Sequence, residues 1–552
     1  MSDSGAWQES WSKAQALIAA QQPQLAIDLI ENTLQQHPNA TPLRAELAQL
    51  YYLNQDYAQS ITHAQAALVQ GSATTALSLL LAKNYFYLQD QDNCRKQCDT
   101  CADSDELSLP QLNTLGSLYC ALGVWDQAIP ILTRVIAATP QEITALFNLA
   151  QAHLQQRHFA KACELLGRCE LIQPKLPGLS VTYATALCAL GQYEQALHYA
   201  RVAVATSPNN PEAWLQQAIA QYHCLDISAA QTTLQTALTR WPEHVTLRWN
   251  LAHCQLRQGD WVTGFQTYQC RWQQASFSQE KIASEKSRWN GNALTDQTLL
   301  VHSEQGFGDT LQFIRFAIAL AKQCKRLILA VQPALVSLLQ SLPIACQIVA
   351  KDAPLPAFDQ YISLLDIPAV YPDVLQHTIG MNAYLGASVD ANLRQTLKAA
   401  TAPYKVGIAW SGNPKQARNH LRSIPLELLH PLLEIPGVQW INLQLDAARQ
   451  EIRCNSRIQD ILPEQPDFMT TAGLITELDL VISVCTATCH LSGTLGIPTW
   501  TLLAYSPCWR WGLADTSTPW YPTMRLFRQA HAGDWTDVID ALYEALLFEA
   551  NN

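Results

Sequence analysis

Three short segments in the second half of the chain place charged and hydroxyl side chains beside small residues, in the pattern of loops that follow strands. The first runs Glu304-Gln305-Gly306-Phe307-Gly308-Asp309-Thr310 toward a helix expected from about Leu311. Gly306 and Gly308 would allow a ligand to lie close against the backbone. A third glycine of the dinucleotide fingerprint is missing, because Leu311 stands in its place, so the loop is a poor NAD site. Asp309 carries two readings side by side. It is either a helix N-cap, worth about 1 kcal/mol, or a carboxylate in a cleft that accepts the proton of an attacking hydroxyl.

The second segment, Ser411 to Ser423, holds Asn413, Lys415, Arg418, His420 and Arg422. Four groups able to carry positive charge after a strand end make a phosphate clamp or a solvated basic loop. The third, Val484-Cys485-Thr486-Ala487-Thr488-Cys489-His490, again joins a strand to a helix. Hydroxyls of Thr486 and Thr488 and the free N–H groups of that helix start would suit a diphosphate. His490 sits one turn in, within reach of a phosphate or ribose, or of one structural hydrogen bond. Trp509-Arg510-Trp511 and Trp520-Tyr521 then form an aromatic rim for stacking, or simply core.

Loops of this kind need a sheet to hold them. Apolar runs at Leu299-Leu300-Val301, Leu327-Ile328-Leu329 and Tyr361-Ile362-Ser363-Leu364 alternate with helical stretches, and a second set follows at Val406-Gly407-Ile408-Ala409-Trp410, Trp440-Ile441-Asn442-Leu443, Leu480-Val481-Ile482-Ser483 and Thr499-Trp500-Thr501-Leu502-Leu503. Such runs predict parallel strands covered by helices on both faces. Two doubly wound units are expected, 298–400 and 401–552, with a final helix from about Asp534 to Ala550. Ligands would bind where the carboxyl ends of the two sets of strands meet.

The first half has a different grammar. Pro140, Pro174, Pro208 and Pro242 are 34 residues apart and Pro38 lies three periods earlier. In the same phase, Ala14, Ala48, Ala82, Gly116, Ala150, Ala184, Ala218 and Ala252 alternate with Ala26, Ser60, Cys94, Ala128, Ala162, Ala196, Ala230 and Gly264. Only small side chains let two helices of a hairpin approach at such points. Gly123, Gly191 and Gly259 fall between paired helices, where a C-terminal cap takes positive φ. The array is expected over residues 7–278 as eight units, followed by a polar connection, 279–297.

Stacked hairpins of this sort form a superhelix with a groove for an extended peptide or a helix. Asn148, Gln216 and Asn250 share one first-helix position, where their amides either bind a peptide backbone or form a solvated face. Cys94, Cys98 and Cys101 have the CxxxCxxC spacing of an iron–sulfur site, but Cys94 occupies a packing position, so no cluster and no metal is expected. The triplets Asp90-Gln91-Asp92 and Asp103-Ser104-Asp105 read as turns and caps.

Composition limits the classes further. With 48% hydrophobic and 15% charged residues across 552 positions the chain is globular and holds several domains. A net charge of -11 leaves no footprint for nucleic acid or an anionic membrane. The 16 scattered cysteines and the opening MSDSGAWQES, without a basic and apolar leader pattern, predict reduced thiols and a cytoplasmic protein with no membrane span.

The 34-residue pattern resembles the tetratricopeptide repeat, and the polar first-helix position resembles part of the asparagine ladder in the related O-GlcNAc transferase superhelix. SEQGFGDTLQF, GIAWSGN with its following RSIP, and CTATCHLSGTLGIP with WRW and WYPTMRLFRQ resemble bacterial repeat-bearing glycosyltransferases whose catalytic half is similar to the heptosyltransferase family, over about residues 298 to 545. That resemblance implies a GT-B fold, acceptor domain first and nucleotide-sugar domain second, inversion without a required metal, and no cofactor beyond the donor. It implies a base at Asp309 and a phosphate contact near Lys415, and the loops read above complete the expected donor site with Gly306, Gly308, Ser411, Asn413, Arg418, Arg422, Thr486, Thr488 and His490. Cys485 departs from it, standing where an aspartate usually contacts the donor sugar. The function it implies is sugar transfer to a protein Ser or Thr, with flagellin as the specific candidate acceptor. The alternatives are a glycan- or lipid-directed transferase and a non-catalytic repeat scaffold.

Overall fold

The computed structural model describes residues 4–71, 74–104, 107–282, 284–398, 403–454 and 457–551. Asp105, in the second aspartate triplet, lies outside them. Two compact units divide the chain, Met1–Ala186 and Leu187–Asn552. The division falls inside the repeat array and inside the helix Leu179–Leu190. The last repeats therefore belong to the same compact unit as the α/β half.

Helices α1 (Ser4–Ala19) and α2 (Pro23–Gln36) begin a series of hairpins that ends with α15 (Val245–Arg257) and α16 (Trp261–Tyr268). All sixteen small positions read from the sequence are buried. The reason is steric: a Cβ on Gly116 would meet the Leu132 side chain at 2.6 Å, and one on Gly264 would meet Leu256 at 2.7 Å. The turn between paired helices is equally regular. Gln21, Gln55, Gln89, Gly123, Arg157, Gly191, Leu225 and Gly259, each 34 residues from the next, all have positive φ, from 59° to 86°. Three repeats meet this left-handed requirement with glycine and five meet it with a side chain present.

Within the first unit, Cys94, Cys98 and Cys101 lie on α6 (Gln91–Ala102), fully buried among Leu79, Ala82, Leu112 and Leu115. They fill the hairpin as small apolar groups, and burial pushes the Cys101 thiol up to about 12. Asp90 caps α6, accepting the Asn93 N–H at 3.1 Å.

The second unit continues with two parallel sheets. The first has strands β1 (Ser287–Arg288), β2 (Leu294–His302), β3 (Cys324–Val331), β4 (Gln347–Ala350) and β5 (Gln360–Ser363) in the order β1-β5-β2-β3-β4. The second has β6 (Tyr404–Ala409), β7 (Val438–Asn442), β8 (Ile458–Gln459), β9 (Leu480–Val484), β10 (Thr499–Leu503) and β11 (Met524–Arg528) in the order β11-β10-β9-β6-β7-β8. Central strands such as β9 are buried along their whole length, as sheets covered on both faces require. The final helix spans Thr536–Asn551 and buries Val538, Leu542 and Leu546 on the second sheet.

The stretch 279–297, expected as a connection, carries structure of its own. Trp289 is buried, its backbone N–H donates to the Tyr361 carbonyl, and β1 adds an edge to the first sheet by pairing with β5. Polar sequence hid this strand because it is only two residues long. Among the described residues no helix is long and apolar enough to cross a membrane.

Candidate functional site

Helix α17 (Phe307–Leu320) starts four residues earlier than the sequence suggested. Gly306 is its N-cap and Asp309 sits at the third helical position, where Asp309 Oδ2 accepts the Gly306 N–H at 3.0 Å. Asp309 is therefore not the N-cap itself, though its carboxylate does cap the helix start and complement its dipole. The other carboxylate oxygen, Oδ1, accepts from the Arg510 guanidinium. Gly308 serves packing: a Cβ there would meet His490 at 2.8 Å, so the glycine lets α17 close on the helix Ala487–Leu495. Just before the helix, Gln305 takes a left-handed φ of 61°, which turns the chain sharply at the strand end.

The two sheets are joined through α17. Arg315, fully buried, donates to the Trp520 carbonyl at 2.6 Å and to the Tyr384 hydroxyl at 3.0 Å, and lies against the rings of Tyr384, Trp520 and Tyr521. His490 faces the same region. Its Nδ1 is 2.9 Å from the Tyr521 hydroxyl and its ring stacks on Trp511 at 5.3 Å. Burial first, then Arg510, Arg315 and Arg422, push its pKa down to about 3, so it is neutral at ordinary pH. Of its two sequence readings, the structural hydrogen bond is the one observed, and a phosphate ligand would gain no charge from it.

The basic loop divides its labour. Arg418 Nη2 donates to the Tyr193 hydroxyl at 2.7 Å and Nη1 meets His223, so this guanidinium grips α12 (Tyr193–Thr206) and α13 (Pro211–His223) of the repeats. His420 Nε2 lies 2.8 Å from the Ala189 carbonyl, another repeat contact. Arg422 turns inward: Nη1 donates to the Cys485 carbonyl at 2.8 Å and the guanidinium crosses Gly412, where a Cβ would come within 2.5 Å of Nη2. Ser411 N–H donates to Gln444 Oε1 at 2.9 Å and its hydroxyl lies 3.3 Å from that of Ser423. Asn413 Oδ1 accepts the Lys415 N–H at 2.9 Å, forming an Asx turn that leaves both residues exposed.

Thr486 is the N-cap of the helix Ala487–Leu495, accepting the Thr488 N–H at 3.3 Å, and both threonines are half-buried beside Cys485. Cys485 Sγ receives the Trp511 indole N–H at 3.1 Å. A hydrogen bond with Cys489 and burial push the Cys485 thiol up to about 11, so it is a neutral group and no substitute for a carboxylate.

A cavity of about 320 Å³ opens where these pieces meet. Gln305, Arg418, Arg422, Cys485, Ala504 and the segment Ser506–Arg510 line it from the α/β half. The repeats contribute Tyr222, His223, Trp249, His253 and Tyr268 to the lining. Arg510 lies over the rings of Trp509 at 4.6 Å and Phe313 at 5.2 Å, so aromatic faces and Asp309 together hold it. The repeat-borne wall escaped sequence reasoning. Its one trace was a density of rings in the last repeat, at Trp249, His253, Trp261, Phe265 and Tyr268.

A charged cluster anchors that last repeat to the first sheet. Arg271, fully buried, pairs with Glu304 at 2.8 Å and with Asp366 at 2.8 Å, and Asp366 also takes Arg288 at 2.5 Å and the Trp272 indole at 2.8 Å. Burial alone would raise the Glu304 carboxyl. Arg271 and the Ser363 hydroxyl outweigh it and hold the group below its usual range.

The three amides expected in a groove hydrogen-bond within the repeats, Asn148 to a neighbouring repeat and the other two within their own helices. Asn148 Nδ2 donates to Ser117 Oγ at 2.7 Å, Gln216 Nε2 to Glu212 at 2.7 Å, and Asn250 Nδ2 to the Thr246 carbonyl at 2.9 Å. Gln216 is buried, while Asn148 and Asn250 are half-buried. Among the described residues no group of three His, Cys, Asp or Glu is placed to hold a metal ion.

Comparison with known proteins assigns the repeats. The family described as tetratricopeptide repeat matches residues 12–74 and 225–269, and that described as anaphase-promoting complex, cyclosome, subunit 3 matches 121–203. Protein FlbA of Caulobacter vibrioides is 25% identical over 469 residues, covering 79% of this chain and 78% of its own. Among solved structures, a tetratricopeptide repeat protein from Parabacteroides merdae is 12% identical, with a TM-score of 0.33, covering 44% of this chain and 97% of its own. YrrB, described as a TPR protein with an unusual peptide-binding site, is 18% identical, with a TM-score of 0.28, covering 32% of this chain and 88% of its own. The helical half of this chain is thus an array of tetratricopeptide repeats, a scaffold for protein interaction, followed by an α/β half with two parallel sheets.

Proposed function

We propose that the chain is a metal-independent, inverting glycosyltransferase with a GT-B catalytic half, which moves a sugar from a nucleotide donor to a Ser or Thr hydroxyl of a protein held by the repeats. The observation that carries this reading is the cavity at the carboxyl ends of the strands. Arg422, Arg510 and Cys485 line it, Cys485 directly precedes the helix start at Thr486, and Arg510 is paired with Asp309. Cations and helix N–H groups so placed neutralise a leaving phosphate.

In the reaction, an Asp309 oxygen takes the acceptor hydroxyl proton as the hydroxyl oxygen bonds to the anomeric carbon. The bond from that carbon to the donor phosphate breaks, its electron pair leaving with the nucleotide. Arg422, Lys415 and the helix start then face the new phosphate charge. Asp309 is a base only when Arg510 lets it go, and a donor phosphate is the natural alternative partner for that guanidinium. Flagellin is the specific acceptor we put forward, by analogy with similar repeat-bearing transferases.

A thermal-shift panel of UDP, GDP, ADP, CMP and dTDP on the full chain and on Arg422→Ala tests the donor site. One nucleotide should stabilise the wild type, by about 2.7 kcal/mol at a hundredfold excess over its Kd, and should stabilise Arg422→Ala much less. No shift with any of them would remove the reading. The Asp309–Arg510 pair favours one rival, a repeat scaffold whose α/β half binds a nucleotide without turnover. Nucleotide binding without sugar transfer or donor hydrolysis would decide for it.

A further inference from the structure

Resting on the transferase reading, we propose that the last repeat supplies the sugar subsite of the cavity: the transferred sugar lies against Trp249 and Tyr268, and a sugar hydroxyl hydrogen-bonds His253 Nε2. In the repeat phase, the residues equivalent to Trp249 are Trp11, Ala45, Leu79, Asn113, Phe147, Val181 and Leu215, and those equivalent to His253 are Gln15, Gln49, Lys83, Ser117, Gln151, Thr185 and Ile219. No other repeat has an imidazole at the His253 position, and an indole recurs at the Trp249 position only in the first repeat, so stacking of the hairpins requires neither. Both line the cavity.

The wall is preformed. Trp249 stacks on Tyr268 with ring centroids 4.6 Å apart, His253 lies 5.8 Å from Tyr268 and 5.0 Å from Trp249, and Phe277 packs behind Trp249 at 5.3 Å. An aromatic face of this kind takes the C–H face of a sugar ring, while directional polar atoms read its hydroxyls. His253 Nε2 is such an atom. It is buried and has no hydrogen-bond partner among the described residues, a state that costs stability until an occupant satisfies it. Burial and Arg510 keep the imidazole neutral, with its pKa down to about 4, so it recognises a neutral hydroxyl.

Position separates the sugar from the nucleotide. The cations and the helix start that suit the phosphates stand on the second sheet, at Arg422 and Thr486. The wall stands toward the base: Gln305, four residues before Asp309, donates to the Tyr268 hydroxyl at 3.0 Å, and Arg510 acts on both His253 and Asp309. A group between Asp309 and the phosphates is the transferred sugar.

The test is calorimetry on the full chain with the nucleotide that stabilises it and with that nucleotide's sugar ester, drawn from UDP-, GDP-, ADP- and dTDP-hexoses and a CMP-nonulosonate. His253→Phe should weaken the ester by about tenfold and leave the free nucleotide Kd unchanged, which also reports a folded site. His253→Leu gives the same readout where Phe does not fold, and His253→Gln should restore most of the ester affinity. Equal effects on ester and nucleotide, or no effect on either, would overturn the subsite while the transferase reading stands. A wild-type chain that binds neither overturns both.

Discussion

Arg510, on the loop after β10, donates to Asp309 at the start of α17, joining the two sheets of the α/β half through the carboxylate proposed as the base. The pair is mostly shielded, with 11% and 20% of the two side chains exposed, so neither charge is well solvated by itself. Asp309→Asn keeps an oxygen for the Gly306 N–H but removes the charge paired with Arg510, so the melting temperature should fall by a few degrees while sugar transfer falls by about 10² to 10⁴ fold. Full activity in Asp309→Asn, measured by transfer to acceptor or donor hydrolysis, would exclude it as the base.

The same pair should show energetic coupling. In a cycle of Asp309→Asn, Arg510→Met and the double variant, unfolding free energies are expected to depart from additivity by about 0.5–3 kcal/mol. Additive values would mean that solvent already screens the pair.

Acid should weaken the second unit through its buried histidines. His253 and His490 have pKa values pushed down to about 4 and about 3, and His223 is also well below its ordinary 6.5, all chiefly by burial. Unfolding lets these rings take up protons that the fold refuses. Their share of stability is therefore complete above about pH 6.5 and declines as pH falls toward the folded values. Denaturation midpoints at pH 7.5 and 5.0 should differ, and His490→Gln should shrink the difference.

Arg271 is a costly charge to remove. Arg271→Met leaves Glu304 and Asp366 buried without their shared cation and should cost about 3–5 kcal/mol, whereas Arg288→Ala, at a position 34% exposed, should cost far less. Because Glu304 is held below its ordinary 4.5, its contribution is complete above that pH and is lost as pH falls below it. Urea titrations at pH 7 and pH 4 on Glu304→Gln and wild type test the sign, since the variant should lose less.

The left-handed turns set a stability ladder in the repeats. Gln89 has φ 60° and is exposed, so Gln89→Gly should raise stability by about 1 kcal/mol, measured by thermal unfolding. Gly123→Val, at φ 71°, should lower it by about 1–2 kcal/mol. The reverse order would mean that unfolded-chain entropy dominates at these turns.

Periodic features of this protein were open to reading in one dimension because a stacked hairpin sees only its neighbours. The small positions from Ala14 to Gly264 and the turn glycines followed from a 34-residue rule, and each lies where that rule put it. Only the structure revealed that Gln21, Gln55, Gln89, Arg157 and Leu225 hold the same left-handed turn, since a strained side chain has no signature. Central strands were legible from their continuous apolar runs. Two-residue β1 was not, because its pairing with β5 rests on backbone hydrogen bonds that leave no pattern in side chains.

The site divided along the same line. Residue types after strand ends pointed to Asp309, Arg422 and Thr486, because the chemistry of phosphate and proton transfer limits which groups can serve. Which cation faces what was decided by tertiary structure alone. Arg418 and Arg422 are four residues apart in one loop, yet one binds Tyr193 of the repeats and the other the Cys485 carbonyl. Gly308 makes room for His490, Asp309 finds Arg510 at a distance of 201 residues, and His253 comes to the cavity from a helix whose sequence reads as scaffold. Contacts between distant segments depend on how whole elements pack, and no local spacing encodes them.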